Sequence, residues 1–264
     1  WYVGYWLWAG NLLHGDLGRS IKEKKPVSRV IGERVPRTLL LSGTSLILSY
    51  VLSLPLGLYS TARRGRLDDR VVSTFLYMLY AAPTFVAGRL LLVFFYKDLA
   101  GTPFQLEPGM FSRNFSQLST AGQVLDIAKH MILPVVCFTY GSLAYYSRFI
   151  KSNMEEVVRQ DYIRTAKAKG ASVLQVILKH ALRGGLLPVI SFMGPAIAGL
   201  IAGSFVIETI FNIPGLGQDF VKSAFNRDYT LVLGVVMFYA TLIIVLNLIV
   251  DILQVILNPK LKFD

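Results

Sequence analysis

Cysteine is nearly missing from this chain: Cys137 stands alone inside an apolar run, so neither an intrachain disulfide nor a thiolate metal cluster can form. Histidine is scarce too, with His14, His130 and His180 scattered along the sequence. No H-E-x-x-H or G-x-S-x-G run occurs, which removes the metalloprotease and serine-hydrolase constellations. No G-x-x-x-x-G-K-[ST] phosphate loop occurs either, which removes the P-loop nucleotide-binding constellation. Charge is the last scarcity: 16% of residues are charged, against roughly a quarter in soluble domains. Apolar residues make up 53% of the chain, and the mean hydropathy is +0.51. Lipid is therefore its main solvent. The net charge of +11 does not indicate nucleic acid, because the cations lie between long apolar runs rather than on one polar surface. Anionic lipid headgroups and the inward bias of basic loops account for it.

Crossing ~30 Å of hydrocarbon takes about 20 helical residues. Five apolar runs are long enough: 36–62, 71–96, 128–150, 185–207 and 230–257. In lipid such runs must be helices or parts of a closed barrel, and these show no alternating polar face. The expected fold is all-α, a polytopic membrane bundle. Prolines 55, 83, 134, 188 and 195 and glycines 57, 88, 194, 199 and 203 fall inside the runs. Kinks and close packing explain them, with moving gates as the alternative.

Basic residues near helix ends set the orientation. The connection with Arg63, Arg64, Arg66 and Arg70, the long one over 151–184 and the tail with Lys260 and Lys262 alternate so as to share one side, the cytoplasm. The connections around Phe111 and Pro214 carry fewer cations, as external loops should. Arg19, Lys22, Lys24, Lys25, Arg29 and Arg34 disagree, since they precede the first span on the outer side. A missing preceding helix would resolve this, and the start at Trp1 with an aromatic-rich stretch, too short to span, is read as an N-terminal truncation. Residues 1–35 are thus an external segment with an interfacial amphipathic helix, and 36–264 the transmembrane domain, with an external turn over 208–229.

The most informative stretch, 153–187, is not a span. Its apolar residues recur at helical spacing (Val158, Tyr162, Ala166, then Val173, Ile177, Ala181), with basic residues between them. Asn153 with Glu156 reads as an N-cap, Ser172 with Gln175 as a capping box, and Gly170 as a helix stop. The result is an amphipathic pair of short helices, either a basic loop lying on headgroups or a docking element for a groove on a partner.

The runs D-Y-I-R-T-A-K-A-K-G (161–170) and K-H-A-L-R-G-G-L-L-P (179–188) resemble the "EAA" loop of binding-protein-dependent ABC importer permeases, in the peptide and nickel branch. G-D-L-G-R-S (15–20) and E-T-I-F-N-I-P-G-L-G (208–217) are similar to that branch's external segment and external turn, the latter to the B-type dipeptide or oligopeptide permease. The glutamate that names the loop is Arg164 here and the next position Thr165, leaving Ala166 and Gly170 as direct matches. The family's first spanning helix is absent from this sequence.

The resemblance implies a permease subunit with five spanning helices in this chain, moving dipeptides or oligopeptides across the prokaryotic cytoplasmic membrane by alternating access. A nickel or glutathione importer is the alternative. An ion-driven carrier is disfavoured by the near lack of mid-membrane carboxylates. Arg164, Thr165, Ala166, Lys167, Ala168, Lys169, Gly170, Ala171 and Ser172 would form the coupling loop seated on an ATPase subunit. The implied partners are a C-type second permease, two ATP-binding subunits and an extracytoplasmic substrate-binding protein, besides membrane lipid. No cofactor is expected on this chain, with ATP and Mg on the ATPases. Arg89 either snorkels to the interface or faces the pathway to attract a peptide carboxylate. Asn247 and Asp251 are read as helix–helix hydrogen-bonding groups. Glu208 either marks the helix end or, with Pro214, Gly215 and Gly217, lies on the side that meets the binding protein.

Overall fold

The computed structural model describes residues 2–257, apart from the side chains of residues 195, 197, 198, 200–204 and 257. Trp1, Lys260 and Lys262, and the side chains of Pro195 and Gly203, lie outside the described residues. Within them the regular structure is helical, with one isolated bridge between Arg19 and Pro26. The helices are α1 (Tyr2–Leu13), α2 (Val27–Ala62), α3 (Leu67–Ala81), α4 (Thr84–Leu92), α5 (Thr120–Val157), α6 (Asp161–Ala168), α7 (Val173–Gln175), α8 (Leu182–Ser191), α9 (Met193–Ile210), α10 (Leu216–Phe225) and α11 (Tyr229–Leu257). Wider π-helical turns extend α4 over Val93–Asp98 and join α7 to α8 over Val176–Ala181.

Among the described residues, four helical stretches are long and apolar enough to cross a membrane: Val27–Ala62, Thr120–Val157, Val173–Ser191 and Tyr229–Ile256. A fifth is a bent pair, Leu67–Ala81 with Thr84–Asp98, meeting at 86°. The expected run 71–96 is this pair. Pro83 lacks the N–H of a continuing helix and biases its predecessor away from helical backbone; Ala82 is extended, at φ −75° and ψ 120°. The run 185–207 is divided too, at Phe192 between α8 and α9. Proline at 195 has no N–H to return to the Ser191 carbonyl, so the hydrogen-bond ladder is interrupted there. Pro134, by contrast, is carried inside α5.

The first span starts at Val27 rather than at residue 36. Val27, Val30 and Ile31 repeat at helical spacing and bury against Leu216, Leu231 and Val235. Arg29, Glu33 and Arg34 interleave with them. A hydropathy reading therefore misses these turns, although packing holds them helical.

The chain forms two compact units: Trp1–Ser42, Gly88–Pro134 and Ala198–Ile244 in the first, and Gly43–Ala87, Val135–Ile197 and Val245–Asp264 in the second. The first unit's core is the Val27 cluster just described. The second is built on Ile150, Met154, Val157, Ile163, Val176, Ile177, Ala181 and Val189, with Tyr50, Leu54 and Leu58 packed alongside. Gly57 lets α2 approach α5 within the second unit. A Cβ there would lie 2.7 Å from Ile150 Cγ2 and 2.9 Å from the Ser147 carbonyl, and backbone cannot yield as a side chain can. Asn247 is used in the same way, packed on Gly194.

Candidate functional site

The loop over 158–181 belongs wholly to the second unit. α5 runs on to Val157, so Asn153 is not an N-cap; its Nδ2 donates to the Phe149 carbonyl at 2.7 Å from inside the helix. The helix continues because Ile150, Met154 and Val157 all point into the core. α6 then carries the D-Y-I-R-T-A-K-A run and stops at Gly170, whose φ of +84° is the left-handed backbone that glycine takes without strain. The Ala171 amide returns to the Ala166 carbonyl at 3.1 Å. α7 opens with the full capping box: Gln175 N donates to Ser172 Oγ at 3.3 Å, and Ser172 N to Gln175 Oε1 at 2.9 Å.

The buried face of this loop differs from the expected stripe. Ile163, Ala166, Val176, Ile177 and Ala181 are buried, while Tyr162 and Val173 are exposed. Ile163 takes the inward position beside Tyr162 because an aliphatic side chain has no hydroxyl to satisfy. In the second half Ile177 and Ala181 are buried as expected, and only Val173, at the start of α7, faces outward. Arg164, Thr165, Lys167, Ala168, Lys169, Gly170 and Ser172 are exposed, Ala171 half-buried. The Arg164–Asp161 pair, 3.3 Å apart, is fully solvated and contributes little. The loop is therefore anchored by one face and offers Tyr162, Val173, Leu174 and Leu178 outward.

Two ion pairs brace the helix that feeds this loop. Lys151 Nζ lies 2.6 Å from Asp69 Oδ1 and donates to Ser73 Oγ at 3.2 Å. The Gly65 amide donates to the other Asp69 oxygen, and Arg64 pairs with Glu155 at 3.3 Å. The residues of both pairs were charges of connecting segments in the sequence, and nothing in their spacing marked them as partners.

In the first unit the run 208–217 folds around a buried carboxylate. Glu208 is fully buried. Thr38 Oγ1 donates to its Oε1 at 2.8 Å and Gln218 N to its Oε2 at 2.7 Å, while Leu216 N donates to Thr38 Oγ1 at 2.8 Å. Gly215 and Gly217 are buried; a side chain at Gly215 would overlap the Glu208 carboxylate. Pro214 is half-buried, and its carbonyl accepts from Arg37 at 3.3 Å. Glu208 thus organises the turn from within, and a partner reaching it would touch its exposed neighbours instead. Thr38 and Gln218 were missed in the sequence. A lone hydroxyl opening an apolar run, T-L-L-L, was the available signal for the first.

The Asp228 carboxylate closes the same unit. It accepts from Ser20 Oγ at 2.5 Å and from Lys22 N at 3.2 Å through one oxygen, and from Leu231 N at 3.2 Å through the other, capping α11. Burial pushes its pKa upward, but these hydrogen bonds outweigh that, and the carboxyl is held below its ordinary range. Because the folded value is depressed, this stabilisation is complete above about pH 4 and is lost as pH falls through the lower folded value. Asp228→Asn is expected to flatten the acid limb of a thermal-melting profile recorded from pH 6 to pH 3.

The structure does not bring Arg89 into either cluster. It is exposed on α4 and has no hydrogen bond or ion pair to another described residue.

The described residues form a multi-pass helical membrane protein with a basic pair of short helices, α6 and α7, set between its apolar helices. The family model for the binding-protein-dependent transport system inner membrane component matches residues 53–263, and the chain belongs to that family. It is similar to the oligopeptide transport system permease protein AppB of Bacillus subtilis, at 39% identity over 99% of this chain and 81% of the relative. The dipeptide transport system permease protein DppB of Escherichia coli is 34% identical over 98% of this chain and 79% of the relative. The glutathione transport system permease protein GsiC of Salmonella typhi is 34% identical over 99% and 80%. Among solved structures, an inward-facing form of the MetNI methionine ABC transporter shares the fold, with a TM-score of 0.66 over 87% of this chain and 96% of that one at 17% identity. The protein is a multi-pass inner-membrane permease component.

Proposed function

We propose that this chain is a pore-forming permease of an ATP-binding-cassette importer that carries dipeptides or oligopeptides inward by alternating access. The names of its relatives support the substrate class. The observation that carries the mechanism is the 158–181 loop, held to the second unit by a buried aliphatic face while four large apolar side chains face outward. Such a face fits a groove on a cytoplasmic partner in the helix-in-groove mode. That partner is an ATPase subunit, which holds ATP and Mg. Its closure pulls on α6, and the packing of Ile163 on Met154 and Val157 passes the displacement into α5. A second permease completes the pathway and an external binding protein delivers substrate. Glutathione, itself a tripeptide, is the second reading, since the GsiC relatives match across nearly the whole chain. Competition between glutathione and tri-alanine for uptake separates the two.

Leu174 is 64% exposed, so Leu174→Glu leaves the permease fold intact while placing a charge in the proposed groove. Affinity capture of the wild type is expected to bring down the ATPase subunits. The variant is expected to lose most of them, at an unchanged melting temperature. Full retention of the ATPases by the variant contradicts the docking assignment.

A further inference from the structure

Six cations over 19–34 stand where the orientation of this chain places the outside, and cations there oppose membrane insertion. They are not a loose tail. The Ser20 amide donates to the Lys25 carbonyl at 2.9 Å, the Lys24 amide to the Ser20 carbonyl at 3.0 Å, and Lys24 is held at φ +55°. Asp228 then clamps this knuckle to the start of α11 through Ser20 and Lys22. On the adjoining segment Arg34 pairs with Asp219 at 2.6 Å, and Arg227 is fixed at φ +59°. The knuckle and the 216–228 segment thus form one surface of the first unit.

Its acids are already used. Glu23 pairs with Arg34, Glu33 with Lys25 and Arg29, and Asp219 with Arg34, while Asp228 is buried. Lys22, Lys24, Lys222 and Arg227 remain exposed with no ion pair to a described residue. Among them stand two apolar side chains, Ile21 at 65% and Phe225 at 86% exposure. An exposed aromatic side chain flanked by cations has the composition of a protein-binding hot spot with a charged rim.

We infer that this surface is the docking site for the external binding protein, which presents to it an apolar pocket bordered by carboxylates. The inference rests on the importer reading and extends it to a named contact. A fixed partner is favoured over lipid headgroups because recognition of anionic lipid by polybasic segments needs no rigid scaffold and acts at the cytoplasmic leaflet. The backbone here is locked at several points. The cations steer the encounter and set its salt dependence, and Phe225 governs dissociation.

The test uses the complete transporter, with both permeases and the ATPases, in nanodiscs of neutral phosphatidylcholine, and follows binding of the cognate binding protein by surface plasmon resonance. Lys22→Glu with Lys24→Glu is expected to slow association about tenfold and flatten its salt dependence. Phe225→Ala is expected to speed dissociation about tenfold. Melting temperatures of the assemblies should match the wild type, since all three side chains are exposed. Rates within twofold of the wild type in both variants overturn the inference, as does an effect that appears only when anionic lipid is added. A wild-type assembly that takes up peptide with its binding protein but shows no salt-dependent association overturns the inference alone. One that neither binds it nor takes up peptide overturns the importer reading with it.

Discussion

Replacing Glu208 with alanine is expected to destabilise the first unit by on the order of 3 kcal/mol, because two buried donors lose their acceptor. The Thr38 hydroxyl and the Gln218 amide both end on this carboxylate, and a second hydrogen bond, from Leu216 N, ends on Thr38. Glu208 is fully buried, so the donors it leaves behind are removed from bulk solvent. Glu208→Gln keeps the shape but turns an amide nitrogen toward one of the two donors, so an intermediate loss is expected. Thermal melting of the detergent-purified protein ranks the three forms. Equal melting temperatures for wild type and alanine variant would show that the turn stands without its carboxylate.

The second large effect is at Lys151. Asp69 is 4% exposed, and its charge is balanced by the Lys151 ammonium with hydrogen bonds from Gly65 N and Ser73. Lys151→Ala leaves a buried carboxylate without its cation, which costs about 3 kcal/mol. The consequence extends to the proposed function, because Lys151 sits on the last turns of α5, which lead into the loop proposed to dock the ATPase. Without the brace, movement of α6 is no longer passed to α3. Uptake is expected to fall by more than tenfold while ATP hydrolysis by the partner subunits continues, and Lys151→Arg is expected to restore much of the coupling. Parallel assays of hydrolysis and uptake on the same preparation check this. A proportional loss of both would mean that the pair serves folding alone.

The sequence made the membrane class, the all-helical architecture and the outline of the loop legible, because each depends on local pattern. Long apolar runs mark spans, Ser172 with Gln175 marks a cap, and Gly170 marks a stop, whatever packs nearby. Features settled by tertiary packing were not readable. The start of α2 at Val27 hides behind Arg29, Glu33 and Arg34. The inward turn of Ile163 in place of Tyr162 depends on the core it meets, and Asn153 reads as a cap only until Met154 and Val157 are seen to hold the helix on. Pairings between distant residues, Glu208 with Thr38, Asp69 with Lys151 and Asp228 with Ser20, leave no trace in spacing. The bend at Pro83 was visible as a proline, but its 86° angle was not.

ATP-driven peptide uptake into proteoliposomes tests the central claim most directly, with this chain reconstituted alongside the second permease, the ATPase subunits and the binding protein. Accumulation of labelled tri-alanine is expected only with Mg and ATP on the ATPase side, and is expected to be abolished by Leu174→Glu in the docking loop. Uptake that proceeds without ATP under an imposed proton or sodium gradient, and that is indifferent to Leu174→Glu, would contradict the account.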